Sequence, residues 1–505
     1  MDRSRARRGS SGRCFPRRLS CLSLVVTAAA LVGCSANPAT GKRQLNFYSE
    51  AEEVALGRQS DAQIAAQLGL VDDPALQAWV SSIGKRLATQ SERPNLPWTF
   101  KVVDDPVVNA FALPGGYIYV TRGILGHLRN ESELAAVLGH EIGHVTAQHG
   151  VNQMSKGQLA TGGLLVGMIV APEGAAQAVG QLGQAGLGLL FLKYGRDDER
   201  QADDLGLRYV ARTGFEPREM PNVFGVLRRV GELEGAGRIP NWMSAHPDPG
   251  ARREHAQERI ANGDYPRGEV GLESYLRRTD GLVFGANPRA GYFEGRTFYH
   301  PDLAFRFEVP SGWAAANETS RVIAAHPERI AQVELGLAQE KSAAEAAKKF
   351  LAQEGLADAA SRSRALNGLT VVEADFSVPR ENQKPIAGRA AFVEHGGQVY
   401  RLLGLYLEEQ AGKVRRAVDG FTGSFSRLTD RAVLGVQPQR LELVSLPRAM
   451  SFDEFRRDHP SQARPEVLAL INGIDDAAAV LPAGTLLRRV TGREVGKQRL
   501  VPEGN

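Results

Sequence analysis

Two histidines and a glutamate stand at the spacing of a metal-binding helix in the first half of the chain. The chain contains the HExxH string His140-Glu141-Ile142-Gly143-His144. Two histidines four residues apart project from one face of an α-helix and can share one metal ion. Glu141 can then take a proton from a water held by that ion. We therefore predict a hydrolytic metal site with His140 and His144 as ligands and Glu141 as the catalytic base.

A catalytic zinc ion needs a third protein ligand from another element and one open position for water. A second predicted helix begins at Arg196-Asp197-Asp198-Glu199-Arg200-Gln201-Ala202-Asp203, in which Glu199 lies 55 residues after His144. Glu199 and Asp203 are four residues apart and share a face of that helix. We assign Glu199 as the third ligand and Asp203 as the acceptor for the remaining ring N–H of a ligand histidine. Without the HExxH string, the same acids would be typical of a solvated helix face.

The helix that carries HExxH is predicted to run from Glu131 to His149. Asn130 provides the N-terminal cap and Gly150 the stop. The face opposite the histidines is apolar, which indicates that this face packs into the core; it consists of Leu134, Leu138, Ile142 and Val145.

Further elements must hold this helix in place. Helices are predicted over about 49–68, 74–87, 197–213, 217–234 and 250–261, and strands over 98–103 and 116–121. We expect the second strand to be an exposed edge on which an extended substrate pairs, through Gly116, Tyr117, Ile118 and Tyr119. The stretch 159–193 is apolar and rich in Gly and Ala, and we predict a buried or lid-like insertion there.

Three separated motifs resemble the HtpX/BepA-like family of gluzincin metallopeptidases, which is related to the CAAX prenyl endopeptidases. They are the HEIGH string, the segment Arg196-x-x-Glu199-x-x-Ala202-Asp203 and the upstream Asn109-Ala110-Phe111-Ala112-Leu113-Pro114-Gly115-Gly116. The resemblance covers about residues 37–262 and keeps the order of the family motifs. It implies one zinc ion per chain at His140, His144 and Glu199, with Glu141 as the base. It also implies the soluble periplasmic branch of the family.

The same resemblance places a histidine and an arginine of the site at His246 and Arg252. His246 either hydrogen-bonds the reaction intermediate or occupies the fourth zinc position and keeps the enzyme latent. Arg252 either stabilises an oxyanion or only pairs with an acid. A surface histidine in a loop is the alternative for His246. His127 and His149 have no spacing that requires a metal, and we expect them to be structural.

The first 33 residues have the pattern of a secretory signal peptide. A basic segment to Arg18 precedes the apolar stretch Leu19–Leu31, which is too short to span a bilayer. The string Leu31-Val32-Gly33-Cys34 resembles a bacterial lipobox, which implies that Cys34 becomes a lipidated N-terminus. The alternative is an ordinary signal peptide with an incidental cysteine. With Ser35 after the cysteine, the resemblance implies the periplasmic face of the outer membrane, and residues 34–48 are predicted to be a lipidated tether.

Charge and cysteine content agree with export and exclude some partners. The 505 residues carry 61 basic and 57 acidic side chains, but residues 1–33 hold seven arginines and one aspartate. The rest of the chain is therefore slightly acidic, and its charge gives no reason to expect nucleic acid as a partner. The three cysteines are Cys14, Cys21 and Cys34, so cleavage before Cys34 leaves no pair for a disulfide.

We predict a multi-domain chain. A mainly α-helical zincin-type metallopeptidase domain with a small β-sheet occupies residues 49–280, and a Gly-rich linker occupies 281–291. An α+β domain over 292–428 weakly resembles PsbP-like domains, because Tyr299–Trp313 alternates like a strand that enters a turn. A small α/β module over 438–493 resembles LysM domains, which bind peptidoglycan, although Arg488-Arg489 departs from the usual ending.

The function predicted from these features is a lipid-anchored zinc endopeptidase that cleaves unfolded or misassembled envelope proteins. Its partners would be those polypeptides, the membrane through the lipid and the cell wall through the last module. An alternative is a latent, zinc-blocked chaperone or binding lipoprotein that acts through its C-terminal modules. Peptidoglycan hydrolysis is a weaker alternative, because the metal ligands match those of peptidases.

Overall fold

The computed structural model of the chain describes residues 34–169, 194–234, 246–318, 320–381 and 383–501. The predicted signal peptide lies outside the described residues, and so does the predicted lid-like insertion from residue 170 onwards. Within these ranges, every helix is too short or too polar to serve as a transmembrane span.

The first half of the chain is mainly helical, as predicted, and its described residues form a three-stranded sheet and a two-stranded hairpin. Its helices are α1 Glu50–Leu68, α2 Pro74–Ala88, α3 Arg122–His127, α4 Glu131–Thr146, α5 His149–Ile169, α6 Arg196–Arg212, α7 Met220–Glu234, α8 Pro249–Asn262 and α9 Leu272–Arg278. Its strands are β1 Cys34–Ala36, β2 Arg43–Leu45, β3 Thr99–Val103, β4 Ala110–Leu113 and β5 Tyr117–Thr121. Two helix caps predicted from the sequence are present. Ser49 and Glu52 form a capping box at the start of α1, and the side chain of Asn130 caps α4 by accepting a hydrogen bond from Glu133 N.

The predicted substrate strand is not an edge strand. β5 is the central strand of its sheet, parallel to β3 on one side and antiparallel to β4 on the other, and all five of its residues are buried. An extended peptide cannot pair with Tyr117, Ile118 or Tyr119, because both edges of their strand are already used. The prediction of Gly116–Tyr119 as a substrate strand is therefore wrong.

The helix that carries HExxH ends earlier than predicted. α4 ends at Thr146, and Gln148 adopts a left-handed backbone with φ of 60°. A second helix, α5, then begins at His149 and continues past Gly150 to Ile169. The expected stop at Gly150 is wrong because the break at Gln148 comes first. The break turns the chain so that His149 returns towards the end of α4.

The stretch predicted as a tether, 34–48, forms a hairpin that docks beside this break. β1 and β2 pair antiparallel, with Cys34 opposite Leu45. Asn37 donates to the carbonyl of Ala147, and the amide of Gln44 donates to the side chain of Gln148. Residues 34–48 are thus fastened next to the end of the HExxH helix.

The second half of the chain begins with an α+β region that has its own core. Eight strands form one sheet, in the order β12 Ala357–Leu366, β13 Leu369–Arg380, β14 Gln383–His395, β15 Gln398–Leu407, β11 Ala331–Ala338, β10 Arg321–Ala325, β9 Ala314–Glu318 and β21 Arg499–Leu500. Four strands form another, in the order β16 Ser426–Arg427, β8 Phe305–Glu308, β7 Thr297–His300 and β6 Tyr292–Glu294. Two helices, α10 Ala343–Leu351 and α11 Ala411–Thr422, pack on separate apolar clusters of these sheets.

The last module returns to the helical half of the chain. After α12 Arg431–Leu434, its elements are β17 Arg440–Ser445, β18 Met450–Ser451, α13 Phe452–Asp458, α14 Pro465–Asn472, β19 Val480–Leu481 and β20 Leu486–Thr491. Its buried apolar residues belong to the same cluster as those of α2, α4 and α7. The predicted linker takes part in this contact, because Phe284 N bonds Gln439 O and Leu441 N bonds Leu282 O.

Candidate metal centre

Four side chains from three separate places in the sequence meet at one buried point. His140 and His144 lie on α4, Glu199 on the first turn of α6 and His246 just before α8, and one ligand atom from each lies within 4.8 Å of the others. All four residues are at least 96% buried. The structure thus brings together the three predicted ligands and also the histidine whose role the sequence left open.

The shorter distances between the four ligand atoms are close to those around a tetrahedral zinc ion. Bonds of about 2.0 Å give ligand-to-ligand distances of about 3.3 Å in a tetrahedron. The Nε2 atoms of His140 and His144 are 3.0 Å apart, and His246 Nδ1 lies 3.3 Å from His140 Nε2 and 2.9 Å from Glu199 Oε1. A ring nitrogen can donate only one hydrogen bond, so His140 Nε2 cannot bond both other histidines as a donor. A shared cation accounts for nitrogens gathered in this way.

Glycines in the HExxH helix let α6 come close enough to deliver Glu199. A Cβ atom at Gly143 would lie 2.8 Å from the carbonyl oxygen of Ala202, and one at Gly139 would lie 3.2 Å from Gly206 Cα. The backbones of α4 and α6 therefore touch where larger residues would separate them.

Asp203 and Arg252 form the predicted support behind the ligands. Asp203 Oδ1 lies 2.8 Å from His140 Nδ1 and accepts a hydrogen bond from it. Arg252 donates to both oxygens of Asp203, at 2.6 and 2.8 Å, and its Nη1 lies 2.8 Å from Glu199 Oε2. Of the two roles considered for Arg252, the geometry corresponds to pairing with acids.

The charges in this cluster set the protonation of the buried groups. Burial alone would raise the pKa of Glu199, but His246 and Arg252 hold that pKa well below its ordinary value. Arg252 likewise keeps the pKa of Asp203 low against the effect of burial. Burial, together with the charge of His140, lowers the pKa of His144. The carboxylates are therefore ionised and His144 is neutral, which are the forms that bind zinc.

Glu141 lies beside the ligands on the side of α7. Its Oε1 is buried and has no hydrogen-bond partner among the described residues, and it lies 3.8 Å from His246 Nε2. A small cavity adjoins it, lined mainly by apolar side chains of α4 and α7, including Val137, Met220 and Phe224. A carboxylate oxygen that has no hydrogen-bond partner among the described residues and lies beside the metal ligands is suited to accept a proton from a bound water.

Two residues of the site were missed in the sequence. His149, expected to be structural, lies with Nδ1 2.9 Å from Nδ1 of His144. Tyr194 stacks on the ring of His144, with centroids 4.0 Å apart and an interplanar angle of 25°. Neither has a metal-ligand spacing, so helical periodicity gives no signal for them. His127 is not in this cluster and instead contacts the carbonyl of Gly123.

The sheet has two edge strands, β3 and β4, and β4 is the one that can replace the predicted substrate strand. Among the strands of the described residues, β4 pairs with β5 alone. β4 also contacts α4, the helix of the metal site. The residues of β4, Ala110–Leu113, belong to the family motif Asn109–Gly116, which precedes the strand predicted to bind substrate.

Comparison with known proteins assigns residues 74–260 to the profile described as Peptidase family M48. A beta-barrel assembly-enhancing protease of Yersinia pestis is 31% identical over 233 residues, which cover 45% of this chain and 47% of that protein. Metalloprotease YcaL of Escherichia coli (strain K12) is 28% identical over 253 residues, which cover 48% of this chain and 97% of that protein.

The similarity is confined to part of the chain. The chain spans about half the length of the first curated relatives it matches. A mitochondrial metalloendopeptidase OMA1 of Arabidopsis thaliana is 32% identical over 179 residues, 35% of each protein. Among solved structures, a cyanobacterial PsbP of Synechocystis matches with 13% identity over 26% of this chain and 91% of its own, at a TM-score of 0.22, which is too low to support a conclusion.

Proposed function

We propose that this chain is a zinc-dependent endopeptidase, and the match of residues 74–260 to peptidase family M48 supports the proposal. The observation that carries the proposal is the convergence of His140, His144 and Glu199 from two helices on one buried point. Two imidazoles and a carboxylate are a known ligand set of catalytic zinc. One ion per chain follows from one such cluster in the described residues.

The side chains of the site have distinct tasks in peptide hydrolysis. Zinc, when bound, activates water at neutral pH and polarises the scissile carbonyl. Glu141 accepts the proton of the attacking water at its unpartnered Oε1 and then delivers it to the leaving amine. Asp203 fixes the ring of His140, and Arg252 holds Asp203 and Glu199 in place.

His246 gives the site a latent state. Its Nδ1 stands at the fourth corner of the ligand cluster, where a catalytic zinc ion requires an open position for water. Burial alone would lower the pKa of His246, but the facing carboxylates of Glu199 and Glu141 raise it. We propose that the segment with His246 must move before substrate binds. Once displaced, His246 can donate a hydrogen bond to the developing oxyanion.

The substrate class proposed is extended polypeptide, such as unfolded or misassembled envelope protein. β4 has an edge that pairs with no other strand of the described residues and lies against the HExxH helix. Backbone pairing at a strand edge selects extended conformation more than sequence. Relatives are named beta-barrel assembly-enhancing proteases, which supports the envelope as the place of action.

Anchoring by lipid at Cys34, in the periplasm at the outer membrane, remains part of the proposal. It is supported by the signal pattern of residues 1–33 and the Leu-Val-Gly-Cys string before Ser35. Glycan binding by residues 438–493 rests on the LysM resemblance and on two helices, α13 and α14, that lie in the chain between the antiparallel partners β17 and β20.

A second candidate, a latent binding lipoprotein, is favoured by the four-ligand geometry itself. A zinc ion held by His140, His144, Glu199 and His246 would have the closed coordination of structural sites. In that case the C-terminal modules would carry the activity.

Cleavage of casein by the full chain separates the two candidates. We expect cleavage that a chelator abolishes, that zinc restores and that Glu141→Gln eliminates while zinc content stays at one ion per chain. His246→Ala should cleave faster than wild type if His246 blocks the site. Inertness of both the wild type and His246→Ala towards casein would overturn the endopeptidase proposal in favour of the binding protein.

A further inference from the structure

The zinc ligand His144 has a histidine behind it. His149 Nδ1 lies 2.9 Å from His144 Nδ1, and the other ring nitrogen of His149, Nε2, lies 3.0 Å from Gln201 Oε1. His149 is 97% buried. The three side chains form an unbroken line from the ligand to α6.

The bonds of this line admit one arrangement of protons once His144 binds through Nε2. Its Nδ1 must then carry the ring proton and donate it, because a neutral imidazole has one donor and one acceptor. His149 Nδ1 must accept that bond, so the proton of His149 resides on Nε2. Gln201 Oε1 accepts the bond from Nε2, and an amide oxygen can only accept. The bond to Gln201 thereby fixes the ring proton of His149 on Nε2, and the bond to His149 fixes the ring proton of His144 on Nδ1.

The backbone conformation at Gln148 brings His149 into contact with His144. Gln148 takes a left-handed conformation, which costs a non-glycine residue about 1–2 kcal/mol. Its side chain is held by Gln44 and Glu53. The turn returns His149 to the ring of His144, which a continuous helix would not do, because residues five apart lie on different faces.

His144 and His140 differ in their support. His140 donates to Asp203, a carboxylate that is itself paired with Arg252. His144 donates to a neutral ring. Both supports are anchored on α6, the helix that also carries the third ligand Glu199.

We propose that His149 is a positioning residue for the metal: with Gln201 it fixes the tautomer and orientation of His144 and so raises the affinity for zinc. This inference rests on the proposed zinc site. Residues that orient metal-ligating histidines commonly contribute 10-fold to 100-fold in metal affinity.

Zinc affinity of the full chain, measured by competition with a chelating indicator, tests the proposal. We expect His149→Leu to bind zinc about 10-fold to 100-fold more weakly than wild type. His149→Asn, whose amide oxygen can accept from His144, should recover most of the loss. Gln201→Leu should weaken binding, whereas Gln201→Glu, which keeps an acceptor, should not. His255→Leu is the matched control. His255, on α8, pairs with Asp204, which lies on the same helix as Gln201 but does not contact the ligand cluster.

The thermal midpoint of each metal-free variant shows whether it is folded, and the comparison of His149→Asn with His149→Leu holds even if both are less stable. The proposal is overturned if His149→Leu binds zinc as tightly as wild type, or if the Asn variant is as weak as the Leu variant. The ring ¹⁵N spectrum of the zinc-loaded wild type should show His149 protonated at Nε2, and protonation at Nδ1 would also overturn it. Failure of the wild type to bind zinc would instead remove the proposed function and this inference together.

Discussion

Asp203 is the residue on which the orientation of His140 most directly depends. It accepts from His140 Nδ1 and from two nitrogens of Arg252. We expect Asp203→Asn to weaken zinc binding about 10-fold to 100-fold, because the amide replaces one acceptor with a donor and leaves Arg252 less neutralised. Competitive zinc titration checks this. Asp204→Asn is the control, since Asp204 pairs with His255 and Arg259 at the surface; equal losses in both variants would contradict the assigned role.

His127 determines part of the response of the metal-free protein to acid. Burial, with a smaller effect of Arg488, lowers the pKa of His127 to about 4. The unfolded chain binds this proton at about pH 6.5, so the stability from neutral His127 is complete above pH 6.5 and is lost as pH falls towards 4. We expect the loss to be at most about 3 kcal/mol. Urea unfolding of His127→Leu should show a shallower decline over this interval, and an unchanged slope would refute the assignment.

The site residues that could be predicted from the sequence are those placed by helical spacing or by a family motif. His140 and His144 share a face because they are four apart, and Glu199 and Asp203 repeat that spacing on α6. His149 could not be predicted, since its place depends on one left-handed residue, Gln148. A stop was expected at Gly150, but the chain turns at a glutamine that neighbouring side chains hold in the unusual conformation.

At the scale of elements, strand positions were predictable while strand partners were not. An alternating or apolar run indicates an extended segment, but pairing depends on residues far along the chain. The run at Tyr117–Thr121 was located correctly and assigned the wrong place in the sheet. β5 is the buried central strand although it carries two tyrosines and a threonine, whereas β4, made only of Ala, Phe and Leu, lies at the edge, so apolar content did not indicate which strand is central.

The free edge of β4 gives a prediction for substrate binding. Thr121 N bonds Asn109 O, so alternation along the antiparallel pair directs the amide of Ala112 away from β5. We expect Ala112→Pro to lower kcat/KM for casein about 3-fold to 10-fold through KM, because one backbone donor to the substrate is lost. Ala112→Val keeps the donor and serves as the control. An unchanged KM in the Pro variant would exclude pairing at this edge.

At the scale of the whole molecule, the last module is part of the core of the helical half. Sequence boundaries predicted a separate unit at 438–493, but its apolar residues join one cluster with those of α2, α4 and α7. A residue that departs from the expected LysM pattern adds a polar contact to this apolar one. Arg488 is 99% buried and donates to the carbonyls of Gly126, near the end of α3, and of Ile471 on α14. Arg488 thus joins the module to the helical half through its bond to Gly126, in addition to the shared apolar cluster.

Charge reversal at Arg488 should therefore separate the module from the helical half. A buried carboxylate in Arg488→Glu would face two carbonyl oxygens, and we expect a loss of at least about 3 kcal/mol in stability. Arg489→Glu is the matched control, because Arg489 is partly exposed and pairs with Glu442, and such pairs contribute about 1 kcal/mol or less. Thermal unfolding and limited proteolysis of both variants measure the effect. In Arg488→Glu, new cleavage should appear in residues 281–291, which lose their pairing with β17. Equal stability and equal cleavage in the two variants would show that the module folds and acts independently of the metal-binding half.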